Sequence, residues 1–201
     1  MNPIKNSFIL ICLLLTACAH FQFTSISLPR NATILAFGDN LTYGTALTDP
    51  NAYPNILSEL TLLPVINGGK TKELTRDAIA RLNELLDQQH PDLVILAHGG
   101  SDMQNNIQSE ETMTNLETMI IEIKNRNIKV LLLGLPSHPQ SGLSALFYQE
   151  VATRQNVPVE LDLIPALMKD PALTADTVRL NETGNENLAE SLHNLIFITE
   201  E

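Results

Sequence analysis

The chain has 201 residues, 44% of them hydrophobic, with 12 Lys and Arg against 23 Asp and Glu and a formal charge of −11. This length suits one domain built on one buried sheet. The acidic balance argues against a nucleic-acid ligand and against docking on anionic headgroups by charge, because both need a basic face.

In chain order, Lys5 supplies a positive start and Phe8 to Leu15 form an apolar run far shorter than the roughly 20 residues that span a bilayer. The run ends in Leu15-Thr16-Ala17-Cys18, small residues directly before a cysteine. This segment resembles the lipobox of bacterial lipoproteins, which implies cleavage before Cys18 and acylation of that residue. Ala19 follows where an aspartate would imply inner-membrane retention, so the expected location is the outer membrane, facing the periplasm, with the lipid as the membrane contact. The expected divisions are a signal peptide at 1–17, a tether at 18–31 and a domain at 32–201. Cys12 leaves with the signal, so no internal disulfide is expected.

Beyond residue 31, short apolar runs alternate with amphipathic stretches. Thr33–Phe37, Pro64–Asn67, Leu93–Ala97, Lys129–Leu133 and Pro158–Asp162 read as five strands, and their near-continuous Val, Ile and Leu content suits a parallel sheet covered on both faces. Leu74, Ala78, Leu82, Leu85 and Leu86 share one helical face, with Arg76, Arg81 and Glu84 on the side expected to meet solvent. Further helices are expected over Thr112–Arg126, Gly142–Gln155 and about Gly184–Phe197, the last opened by a capping box of Thr183 and Glu186. The alternation predicts an α/β fold, a three-layer α/β/α sandwich around a five-stranded parallel sheet.

Ligands of such sheets bind at the carboxyl ends of the strands. Four loops gather there: Gly38-Asp39-Asn40-Leu41, the segment 67–72, Gly99-Gly100-Ser101-Asp102, and 176–181 before the last helix. With Ala80-Arg81-Leu82, these motifs resemble the SGNH, or GDSL, hydrolases, close in pattern to bacterial lysophospholipases and thioesterases. The likeness runs from about Thr33 to Leu195. It implies a flavodoxin-like fold and four catalytic positions, from all of which this chain departs. The nucleophilic serine position carries Asn40, the oxyanion-hole glycine position Lys72, the oxyanion-hole asparagine position Ser101 and the histidine base position Arg179, while the orienting aspartate survives as Asp176.

A carboxamide does not ionise to an attacking oxyanion, and a guanidinium has no lone pair to accept a proton at neutral pH. Arg179 is expected to pair with Asp176. The predicted function is therefore a catalytically inactive, lipid-anchored relative of these hydrolases that binds or scaffolds in the cell envelope, its cleft open to an acyl, ester or glycan group. The alternative is an active esterase or lysophospholipase-like enzyme using Ser101 or Ser137 with His98 or His138. The chain has no His-x-x-x-His, no cysteine pair in the mature domain, no Gly-x-Gly-x-x-Gly and no P-loop, so no metal or nucleotide cofactor is expected.

Overall fold

The structure, a computed structural model, describes residues 25–199. Cys18 and the leader, with the expected signal cleavage and lipidation, lie outside the described residues.

Five strands form one parallel sheet: β2 (Ile34–Gly38), β3 (Val65–Gly69), β4 (Leu93–Ala97), β5 (Lys129–Leu133) and β6 (Val159–Glu160), in the spatial order β3-β2-β4-β5-β6. All five residues of β2 and of β4 are buried, which is why these strands read as unbroken apolar runs. Helices α3 (Thr75–Gln89), α5 (Ser109–Asn125) and α6 (Phe147–Gln155) pack in succession against one another, while α2 (Tyr53–Thr61), α7 (Leu163–Lys169) and α8 (Glu182–His193) form a second group. The expected three-layer sandwich is the observed one. Two short helices, α1 (Asn40–Tyr43) and α4 (Gly100–Gln104), follow β2 and β4 directly.

Several boundaries differ from expectation: the helix expected over Gly142–Gln155 begins only at Phe147, and the strand expected over Pro158–Asp162 is only Val159–Glu160. Residues 26–29 of the expected tether form β1 (Ile26–Pro29), which pairs in parallel with β7 (Ile196–Thr199). Ile26, Leu28 and Ile196 are buried, so this two-stranded ribbon is part of the core rather than a leash. The last helix starts earlier than the Thr183 capping box implied. Asn181 is its cap, its side-chain oxygen accepting from Gly184 N–H at 3.0 Å, and the helix ends at His193 so that Ile196–Thr199 can extend as β7.

The strand order reverses between β2 and β4, since β2 is followed by β3 on one side and the chain then crosses to β4 on the other. The crevice outside the carboxyl ends of those two strands is where open α/β sheets hold ligands. Two glycines let α1 sit there. A Cβ on Gly38 would lie 2.3 Å from Ala97 O, and one on Gly69 would lie 2.2 Å from Tyr43 N, so neither position has room for a side chain.

Candidate active site

Asn40 is the first residue of α1, immediately after β2, and is 7% exposed. Its amide bridges two loops. Asn40 Oδ1 accepts from Lys72 N–H at 3.0 Å, and Asn40 Nδ2 donates to Ser101 Oγ at 3.2 Å. Three of the positions singled out from sequence are thus one hydrogen-bonded unit. Lys72 takes part through its backbone in a left-handed conformation, φ 59°, which glycine favours. Ser101 N–H is held at 2.6 Å by Asp39 Oδ2, whose carboxyl is buried and pushed above its ordinary range by that burial, against the opposing influence of His98 and the Ser101 hydrogen bonds.

Asp176 and Arg179 form the expected pair. Arg179 Nε and Nη2 reach Asp176 Oδ2 at 2.9 and 2.6 Å, and Oδ1 of the same carboxylate accepts the backbone N–H groups of Val178 and Arg179, each at 2.9 Å. Desolvation raises this carboxyl, but the Arg179 contacts and the Val178 amide outweigh it and hold the group below the usual range. Its lone pairs are spent on its own turn. Both side chains are over a third exposed, so the pair adds no more than about 1 kcal/mol to stability.

Beside Asn40 lies a cavity of about 200 Å³ lined mainly by apolar groups, among them Leu41, Leu135, Pro136, Ile164, Met168 and Val178. Asp39 and Asn40 border it on one side, and Gly100, Gln104, Ser137, His138, Pro139 and Thr177 complete its lining. The loop bearing Asp176 and Arg179 contributes only the two residues between them, Thr177 and Val178, to this lining.

Behind the Asn40 unit is a buried charge cluster that the sequence reading missed. The Glu73 side chain is 1% exposed and takes Arg81 Nε at 3.0 Å and Nη2 at 2.5 Å, Lys70 Nζ at 3.1 Å and His98 Nε2 at 3.4 Å. Burial alone would raise the Glu73 carboxyl, yet hydrogen bonds from His98 and Arg81, with the guanidinium charge, hold it at about 2. Arg81, expected on the solvent face, is instead only 20% exposed. It lies 4.3 Å over the Phe37 ring and donates to Gly68 O at 2.8 Å. It ties the end of β3 to the loop that presents Lys72, which is the physical content of the Ala-Arg-Leu motif. Asp102 does similar work for α3. Leu74 cannot cap that helix, and the buried Asp102 accepts Thr75 N–H at 2.9 Å and the Thr75 Oγ1 hydroxyl at 2.5 Å.

His98 is fully buried beneath the cleft. Its Nδ1 accepts from Gly99 N–H at 2.9 Å, which leaves the ring proton on Nε2, facing Glu73. Neither nitrogen is turned toward Ser101. Among the described residues no group of three His, Cys, Asp or Glu side chains is placed to hold a metal ion.

The sequence model of the GDSL-like Lipase/Acylhydrolase family matches residues 36–189. An arylesterase of Vibrio mimicus is 30% identical over 135 residues, covering 64% of this chain and 68% of that protein. Thioesterase 1/protease 1/lysophospholipase L1 of Escherichia coli K12 is 27% identical over 154 residues, 70% of this chain and 74% of that one. The fold is shared with the psychrotrophic esterase EstA from Pseudoalteromonas sp., at a TM-score of 0.71 and 19% identity over 82% of this chain and 96% of that one. A family match over residues 36–189 and a fold shared with a solved esterase lead to one assignment: this chain belongs to the GDSL-like lipase/acylhydrolase, or SGNH hydrolase, family.

Proposed function

We propose that this protein is a catalytically inactive, lipid-anchored member of the family that binds an acyl group or ester in the cell envelope without cleaving it. The observation that carries the reading is the Asn40 carboxamide. It stands where the family likeness places the nucleophile, and it occupies Lys72 N–H and Ser101 Oγ with its own oxygen and nitrogen. No alkoxide can form there, and a donor that would meet an oxyanion is already engaged. The aspartate that would orient a histidine base is bound to Arg179 instead.

The ligand class rests on the apolar cavity beside Asn40 and on the relatives' names, an arylesterase and a thioesterase 1/protease 1/lysophospholipase L1. The anchor rests on Leu15-Thr16-Ala17-Cys18 and the outer-membrane location on Ala19. Purified mature chain is expected to hydrolyse p-nitrophenyl butyrate no faster than a heat-denatured control and to take no fluorophosphonate label. Turnover abolished by Ser137→Ala or His138→Ala would instead show an active esterase using the rim of the same cavity.

A further inference from the structure

Ser25, the first described residue, and Ile26 and Ser27 border Ile128, Lys129 and Pro158, at the starts of β5 and β6. The cavity beside Asn40 is bordered by Leu135 and Pro136, just past the end of β5, and by Asn40 itself, just past β2. All five strands are parallel, so the chain enters at the amino pole of the sheet and the cleft opens at the carboxyl pole. These poles are separated by five strand residues, about 17 Å, plus the loops at either end. A domain of this size has a radius of gyration of about 16 Å, hence a width near 40 Å. Cys18 stands seven residues before Ser25, a reach of at most about 25 Å even when fully extended. That reach is too short to swing the far pole onto the surface that holds Cys18.

The amino pole also has the surface for a bilayer. Lys124 and Lys129 are exposed beside Ser25–Ser27, and Phe197, paired with Ser27 across the ribbon, is 61% exposed. The contact rests on the short tether and on the exposed Phe197 ring, an aromatic suited to the headgroup layer, because exposed Asp87 and Asp92 at the same pole offset the two lysines.

We infer that the amino pole rests on the anchoring membrane and that the cleft faces away from it, so that the site takes acyl groups carried on water-soluble or wall-borne molecules rather than lipids of the leaflet holding Cys18. This rests on the lipid-anchor reading above. The chain contains no Trp, so a single introduced indole reports without background. Phe197→Trp marks the amino pole and Leu146→Trp, at a position 92% exposed just before α6 on a groove that shares Ser137 with the cleft, marks the other.

The lipidated full chain carrying either substitution is reconstituted in phosphatidylglycerol/phosphatidylethanolamine vesicles containing headgroup spin-labelled lipid. The expected result is at least twofold quenching of Phe197→Trp and less than a tenth of the signal lost for Leu146→Trp. Equal quenching of both, or stronger quenching of Leu146→Trp, would overturn the orientation. Failure of the natural protein to float with vesicles would instead overturn the anchor reading. Coupling Cys18 of the mature chain to a maleimide lipid then restores attachment, and the same two quenching outcomes decide the orientation.

Discussion

At position 40, where the family likeness places a serine, asparagine does more than lack a nucleophilic hydroxyl. The longer amide reaches both Lys72 N–H and Ser101 Oγ, so the site is closed upon itself as a set of satisfied hydrogen bonds. Restoring one part should therefore not restore activity. Asn40→Ser alone is expected to stay at background with p-nitrophenyl butyrate, because Arg179 cannot act as a base. The double variant Asn40→Ser with Arg179→His regains a base that Asp176 can orient, and should exceed either single variant by about 10²-fold, the lower range of general-base effects. A single variant as active as the double one would point to another base. The identities at 40, 72, 101, 176 and 179 were legible because short motifs place them in order along the chain. The Asp176–Arg179 pair was legible as well, from opposite charges three residues apart, but the contacts of Asn40 were not. Nothing local says that Lys72 adopts a positive φ or that Asn40 will select its backbone rather than its ammonium group.

Among the elements, the loop between β3 and α3 depends on a carboxylate that carries no motif. Helical periodicity assigned Arg81 to solvent because charged residues on a polar face usually point outward. Its partner Glu73 lies eight residues away in a loop, where no repeat reveals it. Glu73→Gln leaves the mostly buried Arg81 facing a neutral group while the exposed Lys70 stays solvated, and a loss of about 3 kcal/mol is expected in urea unfolding. Because the folded Glu73 carboxyl lies at about 2 against an ordinary 4.5, its stabilisation is complete above pH 4.5 and is lost on acidification toward pH 2. Asp39 opposes this. Its folded carboxyl is raised, so it favours the folded state below its ordinary value and loses that effect as pH rises. Urea midpoints measured from pH 5 to pH 2 should consequently fall more steeply in Asp39→Asn than in the parent, while Glu73→Gln should flatten the fall.

Helices α2 and α7 escaped sequence reading for a related reason. Pro54 and Pro165 lie in their first turns, where proline is tolerated but reads as a break. The final apolar run hid β7 because Leu195 to Ile198 continues the hydrophobic pattern of α8 without a break.

For the whole molecule, the sheet was readable from five Val-, Ile- and Leu-rich runs, but the domain boundary was not. Residues 26–29 have little local signal, and only the distant β7 gives Ile26 and Leu28 a place to be buried. Leu28→Ala should therefore cost about 2–5 kcal/mol, a core penalty that a tether residue would not incur, measurable as a lowered urea midpoint. The leader makes an independent claim. Palmitate labelling in a bacterial host should be present in the parent and absent in Cys18→Ala, whereas labelling that survives the substitution would remove the anchor.

The central claim is retention of an acyl compound without cleavage, and native mass spectrometry of the purified chain incubated with phenyl butyrate tests it most directly. The claim predicts a complex at the mass of protein plus intact ester, with no acyl adduct on the chain and no butyrate released beyond the protein-free rate. A butyryl adduct, or butyrate released in proportion to protein concentration, would contradict it.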